Sequence, residues 1–246
     1  PPHLPLFASR AFVHFALDSQ DAAMTTRLAG PATSFLPFNE GSGGAGNPGG
    51  KGNPPDPEGH PTSYLWRRVW ERDRWLELIQ KFVHVEPPPD GSPPGTPGTV
   101  VFPRFHQWDV VLACTAHAKV RGAGHSYLIQ HSAGSGKTKE IAWLAHELST
   151  LHDDEDRKVF DKVVVITDRR VLDQQLQNTI YQFEHKTGVV EKIDEDTRQL
   201  ARALSGGTPI VITTLQKFPF IAQALSTLER QGDGVRIDTA GKRYAV

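Results

Sequence analysis

The clearest chemistry in the chain lies in the string HSAGSGKT, which begins at His131. Its glycines permit the sharp turn that brings backbone N–H groups close to phosphate oxygens. Lys137 can supply positive charge to the β and γ phosphates, and Thr138 can ligate a nucleotide-bound Mg²⁺ ion. The usual pattern, G-x-x-x-x-G-K-[ST], fails only at its first position, where His131 stands. The string therefore predicts a nucleotide site with contacts from Gly134, Ser135, Gly136, Lys137 and Thr138.

A second candidate nucleotide contact, Gln107, lies upstream in the string FPRFHQWDVV. A glutamine carboxamide can donate a hydrogen bond to the Hoogsteen edge of adenine and accept one from it at the same time. Gln107 is therefore a candidate adenine reader. The alternative is a surface glutamine on a helix, which would be favoured if no phosphate loop followed.

Polar side chains follow two apolar runs further along the chain, VVVIT and IVITT. In an open parallel sheet, the loops at the carboxyl ends of the strands line the ligand crevice. Arginine, lysine and threonine side chains at these places suit contacts with a phosphate backbone. The candidate DNA contacts are Arg169, Arg170, Thr213, Thr214 and Lys217. The alternative is that Asp168 and Thr214 simply cap the segments that follow.

Apolar runs and helical periodicity alternate after residue 100. Predicted strands span 126–130, 162–167, 188–190, 209–214 and 243–246, and predicted helices span 137–151, 170–183 and 196–205. Strands that are apolar throughout and separated by helices are typical of a parallel sheet covered on both faces. The predicted fold class is therefore α/β, with the phosphate loop between a strand and a helix.

The region before residue 100 has a different pattern. Two β-favouring runs, RAFVHFALD and AAMTTRLA, are separated by the turn-like DSQD, and TSFLPF follows. Gly and Pro dominate 41–62, which predicts a loop or linker, and 87–98, which predicts a semi-rigid extended spacer. Between them, SYLWRRVWERDRWLELIQKFVH has helical periodicity with interleaved tryptophans. This helix either binds nucleic acid or packs its tryptophans on a neighbouring domain while Arg67, Arg68, Arg72 and Arg74 are solvated.

The composition limits the possible classes of protein. The chain is 38% hydrophobic and 22% charged, and no window reaches the roughly 18 apolar residues that a membrane span needs. We therefore expect a cytoplasmic protein with no membrane partner. A net charge of −1 neither supports nor excludes DNA binding. Cys114 is the single cysteine, which excludes an internal disulfide framework, and the histidines lack zinc-site spacing.

Taken together, many strings in the chain resemble the restriction (R) subunit of type I restriction-modification enzymes. They include FVHFALD, FLPFNEGSGGAGNP, YLWRRVWERDRWLELIQKFVH, FPRFHQWDVV, HSAGSGKT, VVVITDRRVLD and IVITTLQKF. The resemblance covers nearly the whole chain. HSAGSGKT and ITDRRVLD are specific to that family, so that His131 is the family's own variant of the loop's first position.

The resemblance implies an ATP-dependent double-stranded DNA translocase of helicase superfamily 2, with RecA-like motor domains and an N-terminal endonuclease domain. ATP and Mg²⁺ are then the cofactors, and the modification (methyltransferase) and specificity subunits are partners. It also implies a domain organisation: residues 1–40 end the endonuclease domain, 41–62 form the linker, 63–98 hold a connecting helix and a Pro-rich loop, and 99–246 form the first RecA-like domain.

Two departures from the family pattern are expected. The acidic Walker B motif should follow the strand that begins near Tyr244, and the nuclease needs a cluster of acids that residues 1–40 do not contain. We therefore expect a fragment with no catalytic residue of its own, which binds ATP weakly at best and neither hydrolyses it nor cuts DNA. The alternatives are a P-loop kinase acting on a small molecule and a non-catalytic nucleotide-binding scaffold.

Overall fold

The chain forms two compact units, Pro1–Val110 and Val111–Val246. A computed structural model describes residues 10–44, 47, 50–167, 176, 178–181, 188–193, 197–216 and 241–246. None of the helices within these ranges is both long and apolar enough to cross a membrane.

The first unit begins with a small antiparallel sheet. Its strands are β1 (His14–Leu17), β2 (Ala22–Thr25) and β3 (Leu36–Pro37), in the order β1-β2-β3. The turn between β1 and β2 is fixed by the Asp18 carboxylate, which accepts hydrogen bonds from the backbone N–H groups of Gln20 (2.7 Å) and Asp21 (2.9 Å). The three β-favouring runs and the turn at DSQD are thus confirmed.

The helical pattern after residue 62 forms two helical segments rather than one. A π-helical turn at Leu65–Val69 is followed by helix α1 (Arg72–Lys81). Glu71 separates them because its backbone is extended, with ψ at 137°, and its carboxylate accepts hydrogen bonds from the N–H groups of Asp73 and Arg74. This side chain is the N-cap of α1, which the periodicity of apolar residues did not reveal.

The Pro-rich segment at 87–98 connects two paired strands. Strands β4 (His84–Glu86) and β5 (Thr99–Val101) are antiparallel, with His84 opposite Val101 and Glu86 opposite Thr99. The prediction of an extended spacer is therefore wrong, because the two ends of the segment are brought side by side. Two turns reverse the chain: the N–H of Ser92 donates to the carbonyl of Pro89, and that of Thr96 to the carbonyl of Pro93, each at 3.1 Å.

A parallel sheet forms the core of the second unit, as the sequence predicts. Its strands are β6 (Lys162–Thr167), β7 (Val190–Lys192), β8 (Ile210–Thr214) and β9 (Tyr244–Ala245), in the order β7-β8-β6-β9. Three helices, α2 (Phe105–Arg121), α3 (Lys137–Ser149) and α4 (Thr197–Ser205), are also described, and the boundary between the units falls within α2. Most of the predicted helix at 170–183 lies outside the described residues, but residues 178–181 are helical.

Apolar side chains join α4 to the sheet. Leu200 and Ala203 of α4 pack with Val211 of β8 and with Ile193 in a buried cluster. The buried ammonium of Lys162, at the start of β6, donates to the carbonyls of Ala203 (2.5 Å), Gly206 (3.0 Å) and Thr208 (2.8 Å). A cation is favourable at this place because helix C-termini carry partial negative charge.

The predicted strand at 126–130 does not form. These residues carry no strand hydrogen bonds, and the Leu128 side chain is 92% exposed. A strand needs a neighbouring backbone to pair its N–H and C=O groups, and the described residues place none beside this segment. The apolar run therefore predicted a burial that the described fold does not provide.

Candidate nucleotide-binding site

The phosphate loop is a tight turn at the start of α3. Gly134 and Gly136 have φ angles of +76° and +89°, a region that favours glycine, and Gly136 is the N-cap of α3. The N–H of Ser135 donates to the carbonyl of Ser132 at 3.3 Å, which closes the turn. An ideal Cβ on Gly134 would meet no atom within 4 Å, so the backbone conformation rather than lack of space requires glycine there.

Exposure differs from residue to residue along the loop. Ser132, Ala133, Gly134 and Lys137 are exposed, Thr138 is half-buried, and Ser135 is buried. The exposed backbone at the first turn of a 13-residue helix offers N–H donors and the positive end of the helix dipole to an anion. An exposed turn of this kind fits the phosphate groups of a nucleotide.

The Lys137 side chain folds back over the loop. Its ammonium donates hydrogen bonds to the carbonyl oxygens of His131 at 2.9 Å and Ser132 at 2.7 Å. The positive charge is therefore held at the mouth of the loop. A phosphate oxygen bound there would compete with these two neutral acceptors, and hydrogen bonds between two charged groups are the stronger ones.

His131, the departure from the usual pattern, pairs with a buried acid that the sequence analysis missed. Its Nδ1 atom lies 3.0 Å from both carboxylate oxygens of Glu140, and Glu140 is 3% exposed. Burial raises the pKa of the Glu140 carboxyl, and the hydrogen bond from His131 acts in the opposite direction. The signal in the sequence was an acid three residues before the buried Trp143, on the same face of α3. The pair ties the residue before the loop to the helix after it.

Gln107 belongs to the first unit, whereas the phosphate loop belongs to the second. Its side chain is 4% exposed, so the alternative of a surface glutamine is wrong. The Oε1 atom accepts a hydrogen bond from the backbone N–H of Arg104 at 2.8 Å. This contact resembles a capping box, in which the third helical residue reaches back to the helix start. It fixes which end of the carboxamide is the oxygen.

The described part of the candidate DNA-binding set, Thr213 and Thr214, lies at the end of one strand, β8. In the parallel pairing of β6 and β8, Ile166 is opposite Thr213 and Thr167 is opposite Thr214. Thr213 is 0% and Thr214 6% exposed, so both are buried in the sheet. Arg169, Arg170 and Lys217 lie outside the described residues, as does Asp168.

A family profile matches part of the chain. No curated protein matches the chain significantly. The profile of the family described as SWI2/SNF2 ATPase matches residues 106–237, more than half of the chain. The matched range includes the phosphate loop and the three strands β6, β7 and β8, and it ends before β9. The coarser part of the expected identity, a helicase-like ATPase domain of superfamily 2, is thereby confirmed. The chain belongs to the SWI2/SNF2 ATPase family.

Proposed function

We propose that this chain is part of the ATP-dependent, DNA-translocating subunit of a type I restriction enzyme. The observation that carries the ATP-binding part is the loop at the start of α3, where two glycines with positive φ hold an exposed turn beside the Lys137 ammonium. The type-specific part is supported by the strings that resemble the R subunit, HSAGSGKT above all. Membership of an ATPase family makes ATP hydrolysis the expected use of the nucleotide.

In this proposal the loop binds the triphosphate and Gln107 reads the adenine. The backbone of Gly134, Ser135 and Gly136 donates to phosphate oxygens, and Lys137 exchanges the carbonyls of His131 and Ser132 for phosphate. Thr138 ligates Mg²⁺, which neutralises phosphate charge when bound.

The DNA-binding part of the proposal assigns backbone contacts to Arg169, Arg170, Thr213, Thr214 and Lys217. Its support is that β6 and β8 are adjacent and parallel, so their carboxyl ends meet at one edge of the sheet, where α/β proteins bind ligands. Because both threonines are buried, their contact with a sugar-phosphate backbone requires that the strand end opens when DNA binds.

The proposal also assigns a role to each segment of the chain and to the partner subunits. Residues 1–40 end an endonuclease domain, 41–62 link it to the helical 63–98 region, and 99–246 form the first RecA-like motor domain. None of the catalytic carboxylates of the nuclease is assigned to this chain. Modification and specificity subunits supply sequence recognition, in keeping with the absence from the sequence of a zinc-finger or basic-zipper motif.

The test uses the subunit assembled with its modification and specificity partners. We expect ATP hydrolysis that double-stranded DNA stimulates, together with cleavage of unmethylated DNA that stops when Lys137 is replaced by Ala. ATP hydrolysis indifferent to DNA would favour the kinase alternative. Nucleotide binding without any hydrolysis would favour the scaffold.

A second candidate, a DNA-translocating ATPase with no nuclease, is favoured by the family match alone, because that match concerns the ATPase part. The same assay separates the two. DNA-stimulated ATP hydrolysis without DNA cleavage would support the second candidate and contradict the restriction enzyme.

A further inference from the structure

One of the four arginines after Tyr64 has surroundings unlike those expected of a solvated side chain. The guanidinium carbon of Arg68 lies 5.0 Å from the ring centroid of Trp108 and 5.5 Å from that of Phe105. Its Nη2 atom donates a short hydrogen bond to the Asp109 carboxylate, and its Nη1 atom lies 3.8 Å from Glu40. Arg68 thus contacts two aromatic rings and two acids at once, all within the first unit.

Three of these four partners belong to the first turns of α2 and surround Gln107 in the chain. Phe105, Trp108 and Asp109 are 2%, 0% and 8% exposed, and Gln107 between them is 4% exposed. The side chain of Gln107 accepts from the backbone of Arg104, so its position depends on how this turn is held. Arg68 holds the turn from outside the helix.

The fourth partner, Glu40, is itself fixed in place. Its backbone N–H donates to the side-chain oxygen of Asn53 at 2.8 Å, within the Gly/Pro-rich stretch. Burial raises the pKa of the Glu40 carboxyl, and Arg68 opposes that shift. A guanidinium can stack on rings and bond two carboxylates in different directions, whereas a lysine ammonium cannot do both.

We propose that Arg68 is a positioning residue for purine discrimination, which holds the first turn of α2 so that the Gln107 carboxamide faces adenine in one orientation. The inference rests on the proposed function, in which Gln107 reads adenine. The inference concerns Arg68 rather than Gln107 itself. It predicts that Arg68 affects the preference for adenine over guanine and leaves phosphate binding unchanged.

The experiment measures the dissociation constants of fluorescent N-methylanthraniloyl derivatives of ATP and GTP for the full chain. The variant is Arg68→Lys, which keeps the positive charge but loses the planar guanidinium group, and with it the stacking on the two rings. The matched control is Arg67→Lys, since the exposed Arg67 side chain pairs with the Asp56 carboxylate and donates to the backbone carbonyl of Glu58. We expect the GTP-to-ATP ratio of dissociation constants to fall about 10-fold in Arg68→Lys and to stay unchanged in the control.

A reference variant separates the two hypotheses. Gln107→Glu keeps the oxygen that accepts from Arg104 but removes the amide donor, so it should abolish discrimination if Gln107 reads adenine. No change in Gln107→Glu would overturn the adenine reader and this inference with it. Discrimination lost in Gln107→Glu but kept in Arg68→Lys would overturn this inference alone.

Two further results complete the test. Arg68→Lys in the Gln107→Glu background should cause no additional loss, because both changes act through one contact. Equal weakening of both nucleotides by Arg68→Lys would show a merely structural role and overturn the inference. If Arg68→Lys does not fold, Asp109→Asn, which keeps the stacking and loses the charge pair, takes its place with the same expected fall in the ratio.

Discussion

The phosphate loop and the turn that carries Gln107 are held in different ways. The loop is held by its own neighbours: Lys137 bonds the carbonyls of His131 and Ser132, and His131 pairs with Glu140 nine residues later. At the start of α2, the Gln107 side chain accepts a local hydrogen bond from Arg104, and side chains from distant parts of the sequence pack on the same turn. Arg68, for example, pairs with Asp109 across 41 residues of sequence.

This difference shows which contacts can be predicted from the sequence. Contacts between residues close in sequence leave a spacing that can be recognised, and the phosphate loop is such a case. Contacts across tens of residues leave no spacing at all, and the surroundings of Gln107 are of this kind. The loop should therefore tolerate changes in distant packing, whereas the Gln107 turn should not.

The largest expected effect comes from Phe105→Ala in the distantly supported turn. Phe105 is 2% exposed and lies against the rings of Phe38, Tyr64 and Trp108, with centroids 5.2 to 5.8 Å away. Removing a buried phenylalanine typically lowers the free energy of unfolding by about 3–5 kcal/mol. Urea unfolding measures this change. The control is Leu128→Ala, at a side chain 92% exposed, which should change stability by less than about 0.5 kcal/mol.

Next in size is Lys137→Ala in the locally supported loop. A hydrogen bond to a charged group contributes roughly 1.5–3 kcal/mol, so affinity for ATP should fall about 10- to 100-fold. The free energy of unfolding should hardly change, because the side chain is exposed. Titration with a fluorescent ATP analogue checks the first expectation, with Lys119→Ala, an exposed lysine paired with Asp154, as the control. Undiminished affinity would mean that the loop does not bind phosphate.

Glu140→Ala tests whether the His131 pair supports the loop. Leaving a half-buried histidine without this partner should lower the free energy of unfolding by about 1–3 kcal/mol. Glu140→Gln keeps a hydrogen-bond acceptor of the same shape and should recover most of the loss. Thermal unfolding of the two variants beside the parent chain gives the comparison. Equal stability of all three would show that the loop needs no support from α3.

The smallest effect is expected at Glu71, the N-cap of α1. The N–H groups of Arg74 and Asp73 bond its carboxylate and lower the pKa of Glu71. A lowered pKa stabilises the fold above the unfolded value, about 4.3, and this contribution is lost as pH falls through the folded value. The difference in Tm between the parent chain and Glu71→Gln should therefore be present at pH 7 and shrink below about pH 4. A difference independent of pH would point to lost packing instead of lost capping.

Prediction from sequence succeeded where the determining contacts are local or periodic. The strands predicted at 162–167 and 209–214, the start of α3 at Lys137 and the turn at DSQD all form, the second strand beginning at Ile210. A continuous apolar run predicts a buried strand because both faces of a parallel sheet are covered. The tight turn of the phosphate loop was predictable because its glycines can adopt the positive φ angles that most other residues avoid.

By itself the sequence determined the α/β pattern, the phosphate loop and the helicase-like ATPase class of superfamily 2, since each depends on residue types at fixed spacing. Only the tertiary structure decided which apolar run pairs: Leu128 is exposed although Val164, in a similar run, is buried. It also decided that the Pro-rich segment closes a hairpin, and that Arg68 rather than its neighbour Arg67 lies against Phe105 and Trp108. The physical reason is common to all three. Strand pairing and side-chain stacking depend on which distant segment is folded alongside, and residue spacing along the chain does not encode it.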